Sequence, residues 1–440
     1  MKIIKIFIAI NIFYCLINLA FANEIETNFI NLNIQDFQVS HSKSQIVIAS
    51  TNNKNELYFS DRALNFIKKI RLVKEKKHFE ELQQESIPNL IENASIAKTF
   101  ILDLHHGLNG KLYISVFYYF ENKNSCSKVI IYEYAANLKK SKIIFSSSPC
   151  ITIESGLHEI SGRLASDKNN VYVVGGNILM DIYNIKYPRS TICCMKFKNY
   201  EDAIKNTNLY GSVTKISLIN NNFEKLTLGH RVPEGLFFSQ NLNALFETEH
   251  GPRGGDEINV IEKNANYGWP YETLGRDYDN FDKKYFKTNF NSSNKFTPPY
   301  FAFTPSIGIS QLNEISYDHS FIEWRGDLIV GSLKDKSLYR LKLKKNKEIM
   351  YAEKILIGKR IRDIDIDNEN IYASTDSGEI ISISKSSRTV VGDYPKSDYD
   401  WSRCAIDRNS IECKYKLTES KNMLGQLKVK ILNVLKNVAN

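Results

Sequence analysis

The sequence contains six copies of one short strand-like pattern, and this repetition limits the folds that the chain can adopt. Its core is a pair of apolar residues, the first of them Leu, Ile or Val, usually between a polar residue and a small or polar run. The pairs are Leu57-Tyr58, Leu112-Tyr113, Val171-Tyr172, Leu245-Phe246, Leu328-Ile329 and Ile371-Tyr372. Repeats of this length that are rich in strands and turns are typical of β-propellers, in which blades bury their faces against one another around an axis.

The count of six predicts an all-β, six-bladed β-propeller. Second strand candidates follow several copies, at residues 213–218, 337–342 and 379–383, as expected for blades of several strands. The intervals between copies run from 43 to 83 residues, so loop insertions must fill the longer ones. On this pattern alone, a β-sandwich or two separate all-β domains are the alternatives.

The N-terminus predicts export. Lys2 and Lys5 precede a mostly apolar stretch at residues 6–19, and Ala20-Phe21-Ala22 has the form of a cleavage site. The apolar stretch is too short to favour a membrane span, although an uncleaved anchor is the alternative. We therefore predict that residues 1–22 are a signal peptide, and that the mature protein is periplasmic or secreted with no stable membrane span.

The net charge does not point to a nucleic-acid partner. It is +9 for the whole sequence and falls to +7 without residues 1–22, which hold two lysines and no acids. Such a mild excess favours an anionic cofactor or surface, but by itself it does not argue for nucleic acid.

Six of the seven cysteines lie after the predicted signal peptide, and an even number in an exported chain suggests disulfides. Proximity in sequence favours the pairs Cys126–Cys150 and Cys404–Cys413. Cys193-Cys194 would then be a vicinal pair or two free thiols. The sequence has no Cys-x-x-Cys or Cys/His spacing that suggests zinc.

Two regions lie outside the repeat. Residues 62–98 contain a charged, helix-permissive segment at 74–84, which we interpret as an insertion. The propeller is predicted to span residues 23–384, and residues 385–440 are predicted to form a C-terminal extension. Residues 423–435 of this extension have the pattern of a basic amphipathic helix, which packs more often on its own domain than on a membrane.

Residues 229–277 hold the densest group of unusual residues in the chain. Two glycine-containing motifs, at residues 229–235 (GHRVPEG) and 250–257 (HGPRGGDE), flank a strand-like run, and residues 266–270 (NYGWP) follow. Glycine lets the backbone turn and present carbonyl or N–H groups to a ligand. The Asp-Glu pair that ends the second motif adds hard oxygen donors, which suit Ca²⁺ better than a transition metal.

These motifs, in this order, resemble the soluble quinoprotein sugar dehydrogenases, the pyrroloquinoline quinone (PQQ)-dependent glucose, aldose and sorbosone dehydrogenase family. The resemblance covers about residues 100–384 and implies a six-bladed propeller, in agreement with the count of repeats. It also implies an enzyme that oxidises aldose sugars or similar alcohols by hydride transfer to Ca²⁺-bound PQQ, with a soluble carrier or a quinone as electron acceptor. The chain has no strand–GxGxxG–helix unit for a nicotinamide or flavin as hydride acceptor.

The resemblance assigns roles to nine residues of this sequence. His158, in residues 158–164 (HEISGRL), would be the general base that takes the hydroxyl proton. The cations that would hold the PQQ carboxylates are Arg231, Lys334, Arg360 and Arg362. The calcium ligands would be the Gly251 and Pro252 carbonyl groups at the cofactor, and Glu257 with the Tyr267 carbonyl group at a second, structural site.

The chain departs from the family motifs at three positions. Val232 stands where the family has asparagine, Glu234 where it has glutamine, and Asn177 where aspartate is expected. The charge of Glu234 is unfavourable beside a tricarboxylate quinone unless Ca²⁺ or an arginine neutralises it. Two alternatives follow: a catalytically degenerate calcium-binding propeller that acts as a binding module, and a Ca²⁺-dependent lactonase-type hydrolase with Glu234 as an extra ligand.

Overall fold

The computed structural model is a ring of six antiparallel sheets. It describes residues 24–27, 30–40, 45–62, 66–73, 78–87, 96–120, 126–151, 160–176, 205–269, 271–275, 296–344 and 346–386. Within these ranges lie twenty-five β-strands and one 3-10 turn, Ile322–Trp324. The predicted fold class, an all-β propeller with six blades, is confirmed.

Five of the sheets contain four consecutive strands each, and the sixth contains strands from both ends of the described chain. The chain starts with β1 (Glu24–Glu26) and β2 (Asn31–Gln38). The next two sheets are β3 (Ile46–Ser50), β4 (Glu56–Asp61), β5 (Phe66–Val73) and β6 (His78–Ser86), then β7 (Ile96–His106), β8 (Leu112–Phe120), β9 (Cys126–Tyr134) and β10 (Ser141–Ser146). The following two are β11 (Ser161–Ser166), β12 (Asn170–Gly175), β13 (Ser212–Ser217) and β14 (Phe223–Lys225), then β15 (Pro233–Ser239), β16 (Ala244–Glu249), β17 (Asp256–Val260) and β18 (Phe301–Phe303). The last strands are β19 (Ile309–Glu314), β20 (Leu328–Ser332), β21 (Ser337–Leu343) and β22 (Ile349–Leu356), then β23 (Ile361–Ile366), β24 (Ile371–Thr375) and β25 (Glu379–Lys385).

The sixth sheet closes the ring without a covalent link. Its strand order is β1-β2-β25-β24-β23, so β2 from the start of the chain pairs with β25 from its end. The pairing is antiparallel and runs from Leu32 opposite Lys385 to Gln38 opposite Glu379. The radial arrangement of blades in a propeller leaves only short, protected strand edges.

All six copies of the sequence repeat lie in the second strand of a sheet: β4, β8, β12, β16, β20 and β24. This strand has hydrogen-bonded neighbours on both sides and packed blades on both faces, so nearly all its residues are buried. A strand buried on both faces is a continuous apolar run, which explains why it gave the clearest signal. The three further strand candidates correspond to β13, β21 and β25, the third strands of their sheets.

The interpretation of residues 74–84 as a helix-permissive insertion is wrong. The chain there contains β6, which pairs with β5 and completes the first sheet. Most β6 side chains are exposed, because β6 is the outermost strand, and Glu81 forms an ion pair of 2.7 Å with Lys68 on β5. Charged residues are common on edge strands, and here they imitate the composition of an exposed helix.

The first strands of the sheets surround the axis. Each of β3, β7, β11, β15, β19 and β23 contacts the first strand of the next sheet, and the ring closes between β23 and β3. Their starts therefore meet at one end of the axis and their ends at the other. The loops after the second strands also return to the end where the first strands start.

The predicted Cys126–Cys150 disulfide is present and ties the start of β9 to the segment after β10. Residues 1–22, Cys193-Cys194, Cys404, Cys413 and the predicted helix at 423–435 lie outside the described residues. Among the described residues there is no helix with the length and hydrophobicity needed to span a membrane. The chain divides into two compact units. All residues of the sites described below belong to the first unit, which consists of residues 1–342 together with residues 351–390.

Candidate functional site

A buried charged layer crosses the axis at the end where the first strands start. Arg163 of β11 donates through Nη1 to Asp103 Oδ1 of β7 at 2.8 Å and to Asp363 Oδ1 of β23 at 3.0 Å. Its Nη2 donates to the main-chain carbonyl of Arg362 at 3.1 Å. Each of the three charged side chains is about 1% exposed. One guanidinium thus joins three blades and supports the backbone of a predicted cofactor-binding residue.

Three of the predicted cofactor cations lie together above this layer. Arg362 donates through Nε to Asp376 Oδ1 at 2.8 Å, and Arg360 donates through Nε to Asp376 Oδ2 at 2.8 Å. Arg360 also donates to the Leu333 carbonyl at 3.3 Å, which places it beside Lys334. Lys334 donates to the Ser306 carbonyl at 3.2 Å. The structure therefore brings Lys334, Arg360 and Arg362 to one side of the opening of the axis at this end. We call this opening the mouth.

The fourth predicted cation, Arg231, lies where the three glycine-containing motifs meet. Its Nη1 donates to the carbonyl of His250 at 3.1 Å and is 3.4 Å from the carbonyl of Gly251. Its guanidinium also lies over the ring of Trp269, 5.0 Å from the centroid, as in a cation–π contact. Arg231 therefore contacts the Gly251 carbonyl, which is one of the predicted calcium ligands.

Glu234, the departure from the family motif, connects the two groups of cations. Its Oε2 is 3.4 Å from Arg362 Nη1, and its Oε1 is 3.9 Å from His250 Nδ1. Burial opposes ionisation, but the positive charges of His250 and Arg362 hold the pKa of Glu234 below its ordinary value. Arg362 thus neutralises the Glu234 carboxylate. This is one of the two ways of compensating its charge that the sequence analysis named.

The pattern of the sequence did not reveal Arg62, which follows β4 at the same end of the axis. It donates to Gln45 Oε1 at 2.6 Å and to the Leu102 carbonyl at 3.0 Å, and its buried Nε has no hydrogen-bond partner among the described residues. Burial and the nearby charges of Arg163 and Arg362 lower the pKa of Arg62 to about 10. The first blade carries no family motif, so the signal was only an arginine directly after a repeat strand.

A buried acidic group lies beneath the Arg231 loop and was also missed. His230 Nδ1 is 3.6 Å from Glu247 Oε2 and 3.5 Å from Glu249 Oε1, and one ligand atom of each residue lies within 4.8 Å of the others. Burial opposes the imidazolium, but the nearby negative charges of Glu247 and Glu249 raise the pKa of His230 to about 10. The signal in the sequence was the Glu-x-Glu spacing on a strand, which places both carboxylates on one face.

Glu257 extends this group from the neighbouring strand. It lies directly opposite Glu249 in the register of β16 and β17, an arrangement that is unfavourable for like charges. Burial, together with the charges of Glu249 and Glu247, raises the pKa of Glu257 to about 8. A small cavity of about 10 Å³ is bordered by Glu249, Glu257 and Tyr267. Clustered oxygen donors around so small a space could hold a cation such as Ca²⁺.

Two other residues of the second motif shape its loop. Asp256 accepts hydrogen bonds from the backbone N–H groups of Ile307 and Ile309, both at 3.0 Å, and from that of Gly251 at 3.3 Å. Its carboxylate therefore positions the loop that carries the Gly251 carbonyl. Pro252 is buried in the same loop.

The predicted base, His158, lies outside the described residues, as does Asn177. The part of the His158 motif that is described, Gly162-Arg163-Leu164, lies in β11. Its arginine is the centre of the buried charged layer. The role of His158 therefore stays a prediction.

Three comparisons with known proteins bear on this site. A family model for glucose/sorbosone dehydrogenases matches residues 98–382. The aldose sugar dehydrogenase YliI of Escherichia coli (strain K12) is 35% identical over 161 residues, which are 36% of this chain and 42% of that protein. The quinoprotein glucose dehydrogenase B of Acinetobacter calcoaceticus is 42% identical over 76 residues, which are 17% of this chain and 16% of that protein. The matched segment thus spans less than half of either relative.

Solved structures share the fold. A glucose dehydrogenase superposes with a TM-score of 0.60 and 20% identity, over 81% of this chain and 100% of that chain. The soluble aldose sugar dehydrogenase of Escherichia coli in its apo form superposes with a TM-score of 0.59 and 19% identity, with the same coverage. At such identities the superpositions establish the architecture, and the roles of individual residues have to be argued from the site itself.

Proposed function

Because the chain belongs to the glucose/sorbosone dehydrogenase family, we propose that it is an exported oxidoreductase that oxidises aldose sugars or related alcohols with Ca²⁺-bound PQQ. Its partners would be a small sugar or alcohol and an electron acceptor, either a soluble carrier or a quinone. We propose no nucleic-acid partner and a periplasmic or secreted location. The observation that supports the cofactor best is the balance of charges at the mouth of the axis.

Among the residues of this mouth that the structure describes, the arginine and lysine side chains outnumber the carboxylates by three. The five cations are Arg62, Arg231, Lys334, Arg360 and Arg362, and the two carboxylates are Glu234 and Asp376. The deeper Arg163 is already compensated by two aspartates. PQQ carries three carboxylates, so the excess positive charge at this mouth fits the cofactor, and the arginines can bind carboxylates through two hydrogen bonds each.

The proposed roles of the residues follow from their positions. Arg360, Arg362 and Lys334 would bind the carboxylates of the cofactor from one side, and Arg231 would bind from the other. PQQ, when bound, supplies the hydride acceptor that no side chain provides. His158 would take the proton of the sugar hydroxyl group as the hydride leaves the carbon atom that bears this hydroxyl group.

Two calcium sites are part of the proposal. The carbonyls of Gly251 and Pro252 would hold the ion at the cofactor, because Ca²⁺ prefers oxygen ligands such as backbone carbonyls. Arg231 Nη1 lies 3.4 Å from the Gly251 carbonyl, so this arginine would lie next to the ion. Glu257 and the Tyr267 carbonyl would hold the second ion, which would compensate the facing carboxylates of Glu249 and Glu257.

The test is a titration of purified residues 23–440 with PQQ in Ca²⁺, followed by absorbance, and then a dye-reduction assay with a set of aldoses. We expect saturable PQQ binding and sugar-dependent reduction. The variant His158→Ala should bind PQQ like the parent and reduce the dye at least about a hundredfold more slowly, the usual contribution of a general base. Equal rates for the variant and the parent would reject this role of His158.

One observation favours a second candidate, a calcium-binding propeller without redox activity. The contact of 3.4 Å between Glu234 and Arg362 occupies a cation that the cofactor needs. This candidate predicts no PQQ binding at micromolar cofactor, while Ca²⁺ still raises the melting temperature. A lactonase-type hydrolase would instead show lactone hydrolysis that requires Ca²⁺ and is independent of PQQ.

A further inference from the structure

The axis opens at its opposite end into a cavity of about 730 Å³. Its lining includes Ser166, Phe238 and Asp365, which lie at or near the ends of β11, β15 and β23. At the cofactor end, Arg163, Glu234 and Arg362 lie near the starts of the same strands. Three or four residues of β-strand correspond to roughly 10–13 Å, with the buried charged layer at the cofactor end. This cavity, which we call the lower cavity, is therefore separate from the proposed cofactor site.

Two carboxylates of the lower cavity have only neutral hydrogen-bond donors. Glu314 accepts from Ser239 Oγ and from Asn241 Nδ2, the latter at 3.2 Å. Asp365 accepts from the backbone N–H of Ser50 at 2.8 Å and from that of the residue after it in β23 at 2.7 Å. Within the described part of the chain, no lysine, arginine or histidine is paired with either carboxylate. Glu314 is buried and Asp365 is half-buried. Negative charge removed from water without a cationic partner is unfavourable, so a bound cation would stabilise both groups.

The pKa values of Glu314 and Asp365 are consistent with carboxylates that have no cationic partner. Burial raises the pKa of Glu314, and burial also raises the pKa of Asp365 to about 6, although backbone donors oppose this shift. Asp365 is therefore still ionised at neutral pH.

Two buried amide side chains on β19 also face the lower cavity. Gln311 and Asn313 are each 8% exposed and line it. Gln311 uses Oε1 to accept from the Leu236 N–H at 2.9 Å, and Asn313 uses Nδ2 to donate to the Ile364 carbonyl at 3.1 Å. The Nε2 of Gln311 and the Oδ1 of Asn313 have no partner among the residues that the structure describes. Because both side chains are otherwise buried and line the cavity, these two polar atoms are available to a ligand inside it.

Positive charge is scarce in the described lining of the lower cavity. Its lysine, Lys54, forms an ion pair with Glu369. Its two histidines are neutral at pH 7, because burial lowers the pKa of His105 to about 3 and also lowers that of His106. Asp318 adds a further carboxylate at the exposed rim. The lower cavity is thus acidic, in a protein whose overall charge is positive.

We propose that the lower cavity binds a small aliphatic amine of the diamine or polyamine class. One ammonium group would lie at Glu314 and Asn313 Oδ1, and a second would lie at Asp365. An ammonium group has three donors and no acceptor, which matches a site where acceptors outnumber free donors. Leu236 and Phe237 provide apolar contacts for the methylene chain, and the volume of the cavity is within the range of small-molecule sites.

The test compares two ligands that have the same length and differ in charge. Isothermal titration calorimetry of the full chain, without PQQ, measures binding of 1,4-diaminobutane and of 1,4-butanediol at pH 7.5. We expect the diamine to bind at least about tenfold more tightly, and Glu314→Gln and Asp365→Asn each to weaken its binding about tenfold, or about 1.4 kcal/mol. Equal binding of the diol, no binding of the diamine, or full binding by both variants would overturn the proposal.

Two further variants separate loss of charge from damage to the fold. Asn313→Asp adds a carboxylate at the free acceptor and should strengthen diamine binding, an effect that misfolding cannot produce. Lys334→Gln changes the opposite end of the axis and should leave diamine binding unchanged. Because these measurements omit PQQ and sugar, failure of the proposed dehydrogenase activity would not affect them.

Discussion

Arg163 and Asp363 are 200 positions apart in the chain, yet their side chains share a hydrogen bond of 3.0 Å across the propeller axis. Arg163 also holds Asp103 at 2.8 Å, so one guanidinium compensates two buried carboxylates. Replacing Arg163 by Met would leave both carboxylates without their cation. We expect Arg163→Met to lower the free energy of unfolding by about 3–5 kcal/mol, as when one partner of a buried ion pair is removed.

Urea unfolding of the parent and the variant measures this loss. The matched control is Arg340→Met, since Arg340 is another fully buried arginine, which donates to Asp327 at 2.9 Å. Both variants should be less stable. Only Arg163→Met should also weaken PQQ binding, because Arg163 supports the Arg362 carbonyl. An Arg163→Met protein as stable as the parent would contradict the importance of the axial layer.

Glu234→Gln should tighten PQQ binding by roughly three- to tenfold. The change removes a negative charge from the mouth and releases Arg362 Nη1, now 3.4 Å from Glu234 Oε2, for a carboxylate of the cofactor. The dissociation constant is measured by absorbance titration. Glu323→Gln, which removes an exposed partner of Lys385, serves as the control and should have no effect. Weaker binding by Glu234→Gln would mean that Glu234 is needed to orient Arg362.

Removal of Ca²⁺ should lower the melting temperature through the site at Glu257. An ion present at about a hundred times its dissociation constant stabilises the folded state by about 2.7 kcal/mol. A chelator should therefore lower the melting temperature of the parent by several degrees and change that of Glu257→Gln much less. Exposed Glu262 offers a control, because Glu262→Gln should remain as sensitive to the chelator as the parent. Equal sensitivity of Glu257→Gln and the parent would place the ion elsewhere.

The strands that could be predicted from the sequence are those whose environment leaves a local pattern. The second strand of each blade is covered on both faces, and its apolar pair marked all six sheets. The outermost strand β6 is solvated, so its charges suggested an insertion instead. Even in the site, Lys334 and Arg360 could be expected to meet, since one follows a second strand and the other precedes a first strand.

The charge partners could not be predicted, because they depend on contacts between distant blades. Asp376 between Arg360 and Arg362, and Asp103 beside Arg163, carry no mark in the sequence that distinguishes them from surface aspartates. Asp363 directly follows Arg362 in a motif that resembles the family, but its pairing with Arg163 could not be inferred from that. The same holds for Arg62, which lies in a blade without a recognisable motif. The pairing of β2 with β25 could not be predicted either, because it joins strands from the two ends of the described chain.

The stability of the first blade should depend on pH through Glu56. Its carboxylate accepts hydrogen bonds from Arg71, through Nε at 3.1 Å, and from Asn53 at 3.0 Å, and it is 3.1 Å from Lys69. Burial opposes ionisation, but these partners lower the pKa of Glu56 to about 2 from an ordinary 4.5. A pKa that is lower in the folded state stabilises the fold above the unfolded value, and this stabilisation is lost as the pH falls from 4.5 towards 2.

We therefore expect Glu56→Gln to be less stable than the parent by about 1–3 kcal/mol at pH 7, with the difference shrinking as the pH is lowered to 3 and below. Urea unfolding at a series of pH values measures it. Glu81→Gln on β6 removes a half-exposed ion pair with Lys68 and should change stability by less than about 1 kcal/mol at every pH. If the deficit of Glu56→Gln is as large at pH 3 as at pH 7, it arises from lost packing and not from the charge of the carboxylate.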